Sequence, residues 1–178
     1  MQRRYFLGAL TAAGLAGTAY VYTLRAPDVM YVSTEMSVVE RMLKLAEVSG
    51  KDIVYDLGCG DGRFVVTAAR QFGARGVGID IDPVRVKEAR ELAQRTNTAD
   101  RARFLEADIF KTDLSEATVV TLFLAPLINL KLRSKLLAEL KPGTRVASHM
   151  FDMGDWKPEK IERVGASTIY LWRISPRA

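Results

Sequence analysis

Three aspartates, Asp56, Asp80 and Asp108, each stand at the end of a short apolar run of sequence. Runs of this kind predict buried strands, and the carboxyl ends of parallel strands meet at one edge of a sheet. Carboxylates gathered at such an edge can bind a cation or the hydroxyl groups of a sugar. We therefore expect these three side chains to line one ligand-binding crevice.

A glycine-rich stretch follows the first of these aspartates. Gly58, Gly60 and Gly62 alternate with Cys59 and Asp61. Glycines leave the backbone bare where a ligand must approach closely, and a helix that starts after them directs its amide groups into the same space. Asp80 follows about 20 residues later, which is the spacing at which an acid meets ribose hydroxyls in a nucleotide-binding βαβ unit.

The same stretch argues against a phosphate ligand. The pattern Gly-x-Gly-x-x-Gly is absent, and no lysine stands where a P-loop requires one. Three acids at consecutive strand ends would repel phosphate but suit a cationic nucleoside. S-adenosylmethionine fits this description, and we expect it as the cofactor.

The elements that must position these residues alternate between strands and helices. Such alternation predicts an α/β fold, a Rossmann-like, doubly wound, mostly parallel seven-stranded sheet with a C-terminal antiparallel hairpin, preceded by an N-terminal hydrophobic helix. Ser33 or Thr34 is expected to cap the first helix of the domain. Strands are predicted at 51–57, 74–80, 101–107, 118–124, 144–151, 161–164 and 168–174, and helices at 35–48, 64–72, 83–96 and 127–140.

Composition narrows the function classes. The chain has one cysteine, Cys59, and one histidine, His149, so a disulfide framework and a cysteine- or histidine-rich metal site are excluded within it. The formal net charge is +5, but lysine and arginine are spread along the chain without a basic helix, so we expect no nucleic-acid partner. We expect no metal.

The N-terminus divides the chain into three predicted parts. Residues 1–25 form a hydrophobic segment, 26–34 a linker and 35–178 the catalytic domain. Residues 5–24 carry no charged side chain, which predicts a membrane anchor. The arginines at 3 and 4 would place the domain outside by the positive-inside rule, but a domain that uses a cytosolic cofactor is expected to face the cytoplasm. Two alternatives are a cleaved twin-arginine export signal and a mis-assigned start codon ahead of Met30 or Met36, which would leave a cytoplasmic soluble protein.

The segment from Asp56 to Gly62 resembles motif I of the class I, seven-strand S-adenosylmethionine-dependent methyltransferases. Residues 78–80 resemble the ribose motif of that family, and residues 107–109 resemble its adenine motif. The resemblance implies that Asp56 orients the methionine ammonium and that Asp80 binds both ribose hydroxyls. It also implies that Gly58, Cys59 and Gly60 lie against the cofactor, that Asp108 binds the adenine amino group, and that Ile81 and Ile109 flank the ring.

A narrower resemblance rests on residues 31–34, 119–124, 140–145 and 148–156. These segments are similar to the membrane-anchored lysine methyltransferases of the ATP synthase c-subunit and of adenine nucleotide translocase, and to prokaryotic relatives. The resemblance implies a lysine of a membrane-embedded protein as the methyl acceptor. It also implies that the stretch before the first helix closes the cofactor site, with Thr34, Tyr31 and Ser33 as candidates.

The acceptor site is expected after the fourth and fifth strands. Residues 124–126 lack the Asn/Asp-Pro-Pro-Tyr/Phe motif of relatives that methylate amino groups of DNA or glutamine, which argues against those substrates. His149, Asn129 and Asp152 are the candidate catalytic residues there. A small-molecule methyltransferase and a non-catalytic S-adenosylmethionine-binding module stay open as alternative functions.

Overall fold

The computed structural model describes residues 32–176. Its strands are β1 (Ile53–Leu57), β2 (Arg75–Asp80), β3 (Ala102–Glu106), β4 (Val119–Leu122), β5 (Arg145–His149), β6 (Lys160–Val164) and β7 (Ser167–Arg173). They form one seven-stranded sheet in the order β3-β2-β1-β4-β5-β7-β6. Strands β1 to β5 pair in parallel, while β7 pairs antiparallel with both β5 and β6. The predicted doubly wound sheet with an antiparallel C-terminal hairpin is confirmed.

Four helices connect the parallel strands or precede them. They are α1 (Met36–Leu45), α2 (Arg63–Phe72), α3 (Pro83–Arg95) and α4 (Pro126–Glu139). The start of α3 matches its sequence signals, because the Asp82 side chain accepts a hydrogen bond from the Val84 amide and Pro83 occupies the first turn.

The prediction for α1 was wrong at both ends. The helix begins after Glu35, and no side chain caps it, so neither Ser33 nor Thr34 acts as the cap. It ends at Leu45 because Glu47 adopts a left-handed conformation with φ of 55°.

Strands β4 and β5 are also shorter than predicted. Strand β4 ends at Leu122, and Phe123 and Leu124 leave the sheet to line a cavity. Strand β5 ends at His149 because Met150 has a φ of 68°, which no regular strand accommodates. Of the residues expected to extend the two strands, Phe123 and Leu124 line the cavity, whereas Met150 and Phe151 do not.

Both faces of the sheet are covered, which explains the nearly continuous apolar runs. On one face, side chains of α1 and α2 pack in the cluster that contains Val54 and Val119, and those of α3 pack in the cluster that contains Phe104. On the other face, Leu132 and Leu136 of α4 pack in the cluster that contains Val120. Neighbouring residues along a strand therefore point into different clusters, as the alternation of side chains requires.

The predicted N-terminal hydrophobic helix and candidate Tyr31 lie outside the described residues. Within residues 32–176, no helix combines the length and apolar character that a bilayer crossing requires.

Candidate active site

A cavity of about 200 Å³ opens at the carboxyl ends of the parallel strands. It lies at the topological switch point of the sheet, between β1 and β4. Strands β2 and β3 lie on one side of β1, and β4 and β5 lie on the other. Its charged lining consists of five aspartates and two arginines: Asp56, Asp61, Asp80, Asp82, Asp108, Arg63 and Arg85. The three aspartates expected to meet in one crevice do so.

The glycine turn forms the floor of this cavity. Gly58, Gly60 and Gly62 have φ values of 78°, 51° and 82°, a region that residues with a Cβ rarely adopt. A Cβ at Gly58 would approach the Leu124 side chain to 2.7 Å. A side chain at Gly58 would fill the space beside the turn. The bare backbone is therefore what a loop that lies against a ligand requires.

Asp80, at the end of the neighbouring strand β2, forms a hydrogen bond to the glycine turn. Its Oδ2 accepts a hydrogen bond of 2.9 Å from the amide of Gly60, and its Oδ1 accepts one of 3.0 Å from the amide of Asp82. Carboxylate oxygens accept more than one hydrogen bond each, so ribose hydroxyls can still bind there. Asp80 therefore shapes the turn in addition to facing the cavity.

Asp56 is the most deeply buried acid of the cavity, with 3% of its surface exposed. Its Oδ1 accepts a hydrogen bond of 2.7 Å from the Thr121 hydroxyl. Burial raises the pKa of Asp56 to about 7, and the charges of Asp80 and Asp61 add to the rise, against the lowering effect of the Thr121 hydroxyl. A bound cation would restore the carboxylate, which fits the ammonium predicted to lie there.

The adenine-side candidates also meet in the cavity. Ile81, Asp108 and Ile109 all line it, and Asp108 Oδ1 accepts a hydrogen bond of 2.9 Å from the Phe110 amide. Phe110 is a further lining residue, to which no sequence motif pointed.

The stretch before α1 closes one side of the cavity. Val32, Ser33 and Thr34 line it, and the Thr34 carbonyl accepts a hydrogen bond from Arg63, which also pairs with Asp61. The predicted boundary between linker and domain, at residues 34 and 35, therefore passes through the cavity lining. Arg63 and Asp61 were not predicted as site residues, although both lie in or next to the glycine motif.

Among the predicted cofactor-binding residues that the structure describes, only Gly60 does not line the cavity, and its amide donates a hydrogen bond to the lining residue Asp80. Cys59 packs below the turn, with its Cβ beside Gly78. Burial and the surrounding carboxylates raise the pKa of the Cys59 thiol, so the side chain is a packing group and not a nucleophile. In the described part of the chain, no cluster of histidine, cysteine or acidic residues suits a metal ion.

The three catalytic candidates, His149, Asn129 and Asp152, do not line the cavity. His149 is buried, its Nδ1 shares a hydrogen bond of 3.2 Å with Thr34 Oγ1, and its ring lies 4.2 Å from that of Phe123. Burial lowers the pKa of His149. Both Thr34 and Phe123 line the cavity, so His149 supports the wall from behind.

Asn129 is fully buried, and its Nδ2 donates to Ser148 Oγ and to the carbonyl oxygen of Phe151. Its Oδ1 has no hydrogen-bond partner among the described residues. Asp152 is exposed, and its Oδ1 accepts a hydrogen bond from the Gly154 amide within a turn. The structure thus brings Asn129 and the segment of Asp152 together, and neither residue lines the cavity.

Comparison with known proteins agrees with this site. Residues 56–160 match the family described as the ANTKMT methyltransferase domain. A protein-lysine N-methyltransferase of Saccharolobus islandicus is 46% identical, over 83% of this chain and 95% of its own. The lysine N-methyltransferase of the ATP synthase c-subunit from Xenopus laevis is 32% identical, over 94% of this chain and 74% of its own.

A solved structure is similar as well. An RNA methyltransferase from Salinibacter ruber, in complex with S-adenosyl-L-homocysteine, is 52% identical with a TM-score of 0.81, over 83% of this chain and 96% of that one. The acidic crevice and glycine cradle fit the same ligand class. This chain belongs to the family of the ANTKMT methyltransferase domain and is an S-adenosylmethionine-dependent methyltransferase.

Proposed function

We propose that this enzyme methylates the side-chain amine of lysine in protein substrates. The observation that carries the proposal is the similarity to relatives named as lysine methyltransferases, one of which is 46% identical over 95% of its own length. The cavity lining, in which five aspartates outnumber two arginines, agrees with a cationic ligand. Each arginine is itself paired with acids, Arg63 with Asp61, and Arg85 with Asp82 and Glu88. Such a lining suits a cationic cofactor and repels a phosphate group in the cavity. Relatives named as methyltransferases of protein lysine and of ATP synthase c-subunit lysine support the same acceptor.

The chemistry requires the neutral amine, because a protonated lysine has no electron pair to attack with. When bound, S-adenosylmethionine supplies a methyl group activated by a sulfonium, whose C–S bond breaks toward sulfur as the C–N bond forms. The lysine proton leaves to solvent beforehand. Phe123, Leu124 and Ile128 line the cavity at the end of β4. Such apolar walls disfavour the ammonium form by desolvation and exclude water from the reaction.

We also propose that the substrate is a membrane protein. Residues 5–24 are proposed to anchor the enzyme in the membrane, with its domain on the cytoplasmic side. Relatives named for the ATP synthase c-subunit and for adenine nucleotide translocase support a membrane substrate. Fractionation of cells followed by N-terminal sequencing tests the anchor. A processed and exported protein, or one recovered entirely in the soluble fraction, would contradict it.

RNA is the second candidate acceptor, because the 52%-identical structure carries the name of an RNA methyltransferase. The full chain is incubated with methyl-labelled S-adenosylmethionine and with membrane protein, total RNA or metabolite fractions, with Asp80→Ala as the inactive control. Hydrolysis that yields labelled methyllysine supports the proposal. Labelled nucleosides would establish RNA instead, labelled metabolites a small-molecule enzyme, and cofactor binding without any transfer a non-catalytic module.

A further inference from the structure

Exposed apolar side chains lie at the same carboxyl edge of the sheet as the cavity. Val32 and Phe110 line the cavity and are 58% and 39% exposed. Leu127 is 71% exposed in the first turn of α4, next to the lining residue Ile128. Met150 is 39% exposed and directly follows the end of β5. We call Val32, Phe110, Leu127 and Met150 the apolar collar.

Met150 owes its position to an unusual turn. Its φ is 68°, and the amide of Phe151 donates a hydrogen bond of 2.9 Å to the carbonyl oxygen of His149. A positive φ inside a hydrogen bond between residues i and i+2 is typical of the γ-turn of the rare and strained type. Strain of this kind persists only where the surroundings hold it, and it concentrates at functional sites.

Helix α4 holds this turn from the other side. Asn129 Nδ2 donates to the carbonyl oxygen of Phe151, and so does the hydroxyl of Ser148, at 3.2 and 2.7 Å. Asn129 lies in the same helix turn as Leu127, so the hydrogen bonds fix the two collar members Leu127 and Met150 relative to each other. The fold therefore maintains two exposed apolar side chains at the ends of β4 and β5.

We infer that the apolar collar binds apolar side chains that flank the acceptor lysine in the substrate polypeptide. This inference rests on the proposed function and specifies its substrate class. The collar lies at the carboxyl edge of the sheet, where the cofactor cavity opens, so a substrate that fits both presents an amine set among apolar groups. A lysine in an apolar protein segment has these properties, whereas a sugar-phosphate backbone has neither.

Two peptides test the inference, each with one lysine, flanked either by leucine and valine or by serine and glycine. We expect kcat/KM to be at least about tenfold higher for the apolar peptide, because two or more side chains lose water on binding. Leu127→Glu and Met150→Glu should lower this kcat/KM about tenfold, mainly through KM. Binding of the apolar peptide in the presence of S-adenosylhomocysteine should weaken in parallel, with the cofactor Kd unchanged.

The matched controls are Leu137→Glu and Ile161→Glu, which change side chains that are 43% and 61% exposed but lie outside the collar. These two variants should keep the wild-type kcat/KM and KM for the apolar peptide, and the wild-type affinities for the peptide and the cofactor. Equal kcat/KM for the two peptides, or an equal loss in the controls, would overturn the collar and leave the proposed function intact. If neither peptide is methylated or bound while S-adenosylmethionine binds normally, both the collar and the proposed lysine specificity are wrong.

Discussion

The side chains of Thr34 and His149, which are 115 positions apart in sequence, share a hydrogen bond of 3.2 Å. The other ring nitrogen of His149 shares a hydrogen bond of 2.8 Å with Ser167 Oγ, so the imidazole is held at both ends. Its ring also packs against Phe123. Thr34 and Phe123 both line the cavity. The buried side chain of His149 therefore supports two parts of the cavity wall, the stretch before α1 and the segment that follows β4.

Replacement of His149 should separate this supporting role from proton transfer. We expect His149→Leu to weaken cofactor binding about 3- to 10-fold, since one or two neutral hydrogen bonds are lost, while His149→Gln restores part of the affinity. Loss of a general base would instead lower kcat about 100-fold or more in both variants. The Kd from calorimetry and a pH profile of kcat distinguish the two, because a supporting histidine contributes no ionisation to that profile.

Cofactor affinity should depend on pH through Asp56. In the free enzyme its pKa is about 7, because burial outweighs the hydrogen bond from Thr121. Binding of a cation requires the carboxylate, so below pH 7 each binding event releases a proton. The affinity for S-adenosylmethionine should therefore fall by about tenfold per pH unit between pH 7 and pH 5.5. Calorimetry in buffers of different ionisation enthalpy measures this proton directly, and a flat affinity over that range would refute the assignment.

Asp56→Asn should stabilise the free protein while it weakens cofactor binding. The pKa of Asp56 is raised in the folded state, so its stabilising contribution is fully present below about pH 4 and is lost as the pH rises through 7. At pH 8 the buried carboxylate destabilises the fold by an amount on the order of a few kcal/mol, which a neutral amide removes. Thermal unfolding at pH 5 and pH 8 should show the gain in Tm mainly at pH 8.

Sequence patterns were sufficient for the sheet and for most of the cofactor side of the cavity, because both depend on local signals. The glycines at 58, 60 and 62 and the acids at strand ends need only strand periodicity and the parallel arrangement to be placed together. The acceptor side depends on contacts between distant segments. The γ-turn at Met150 and the pairing of His149 with Thr34 have no local signature, so the sequence did not indicate that the His149 side chain lies behind the cavity wall.

Asp80→Ala should weaken S-adenosylmethionine binding by at least about 100-fold. The substitution removes the acceptor of the predicted ribose hydroxyl bonds, and charged hydrogen bonds of this kind contribute about 1.5 to 3 kcal/mol each. Calorimetry gives the Kd, and Asp100→Ala serves as the control because the Asp100 side chain is 71% exposed and does not line the cavity.

The Asp80 variant also loses the hydrogen bonds to the amides of Gly60 and Asp82, which adds a second effect on the turn. A 2′-deoxy analogue of S-adenosylhomocysteine separates the two effects. The wild type should bind the analogue more weakly than the parent compound, whereas Asp80→Ala should bind both alike. An equal preference for the parent compound in both proteins would show that Asp80 acts only on the turn.

Gly78→Ala should destabilise the protein by about 1 to 3 kcal/mol through overpacking. A Cβ at Gly78 would lie 2.5 Å from Phe104 Cδ1 and 2.9 Å from Cys59 Cβ, and both neighbours are buried. Gly50→Ala is the matched control, because a Cβ there comes no closer than 3.6 Å to its surroundings. Urea unfolding should give the difference in the free energy of unfolding.

A second substitution tests whether the ring of Phe104 is the cause. Phe104→Leu alone should be destabilising because it leaves a cavity, but in the Gly78→Ala background it vacates the space that the new methyl group requires. The double variant should therefore be more stable than the sum of the two single effects predicts, by about 1 kcal/mol or more. Since Cys59 belongs to the glycine turn, Gly78→Ala should also weaken cofactor binding. The double variant should recover part of the lost cofactor affinity. Strict additivity would mean that the strain is relieved elsewhere, through movement of the turn at Cys59.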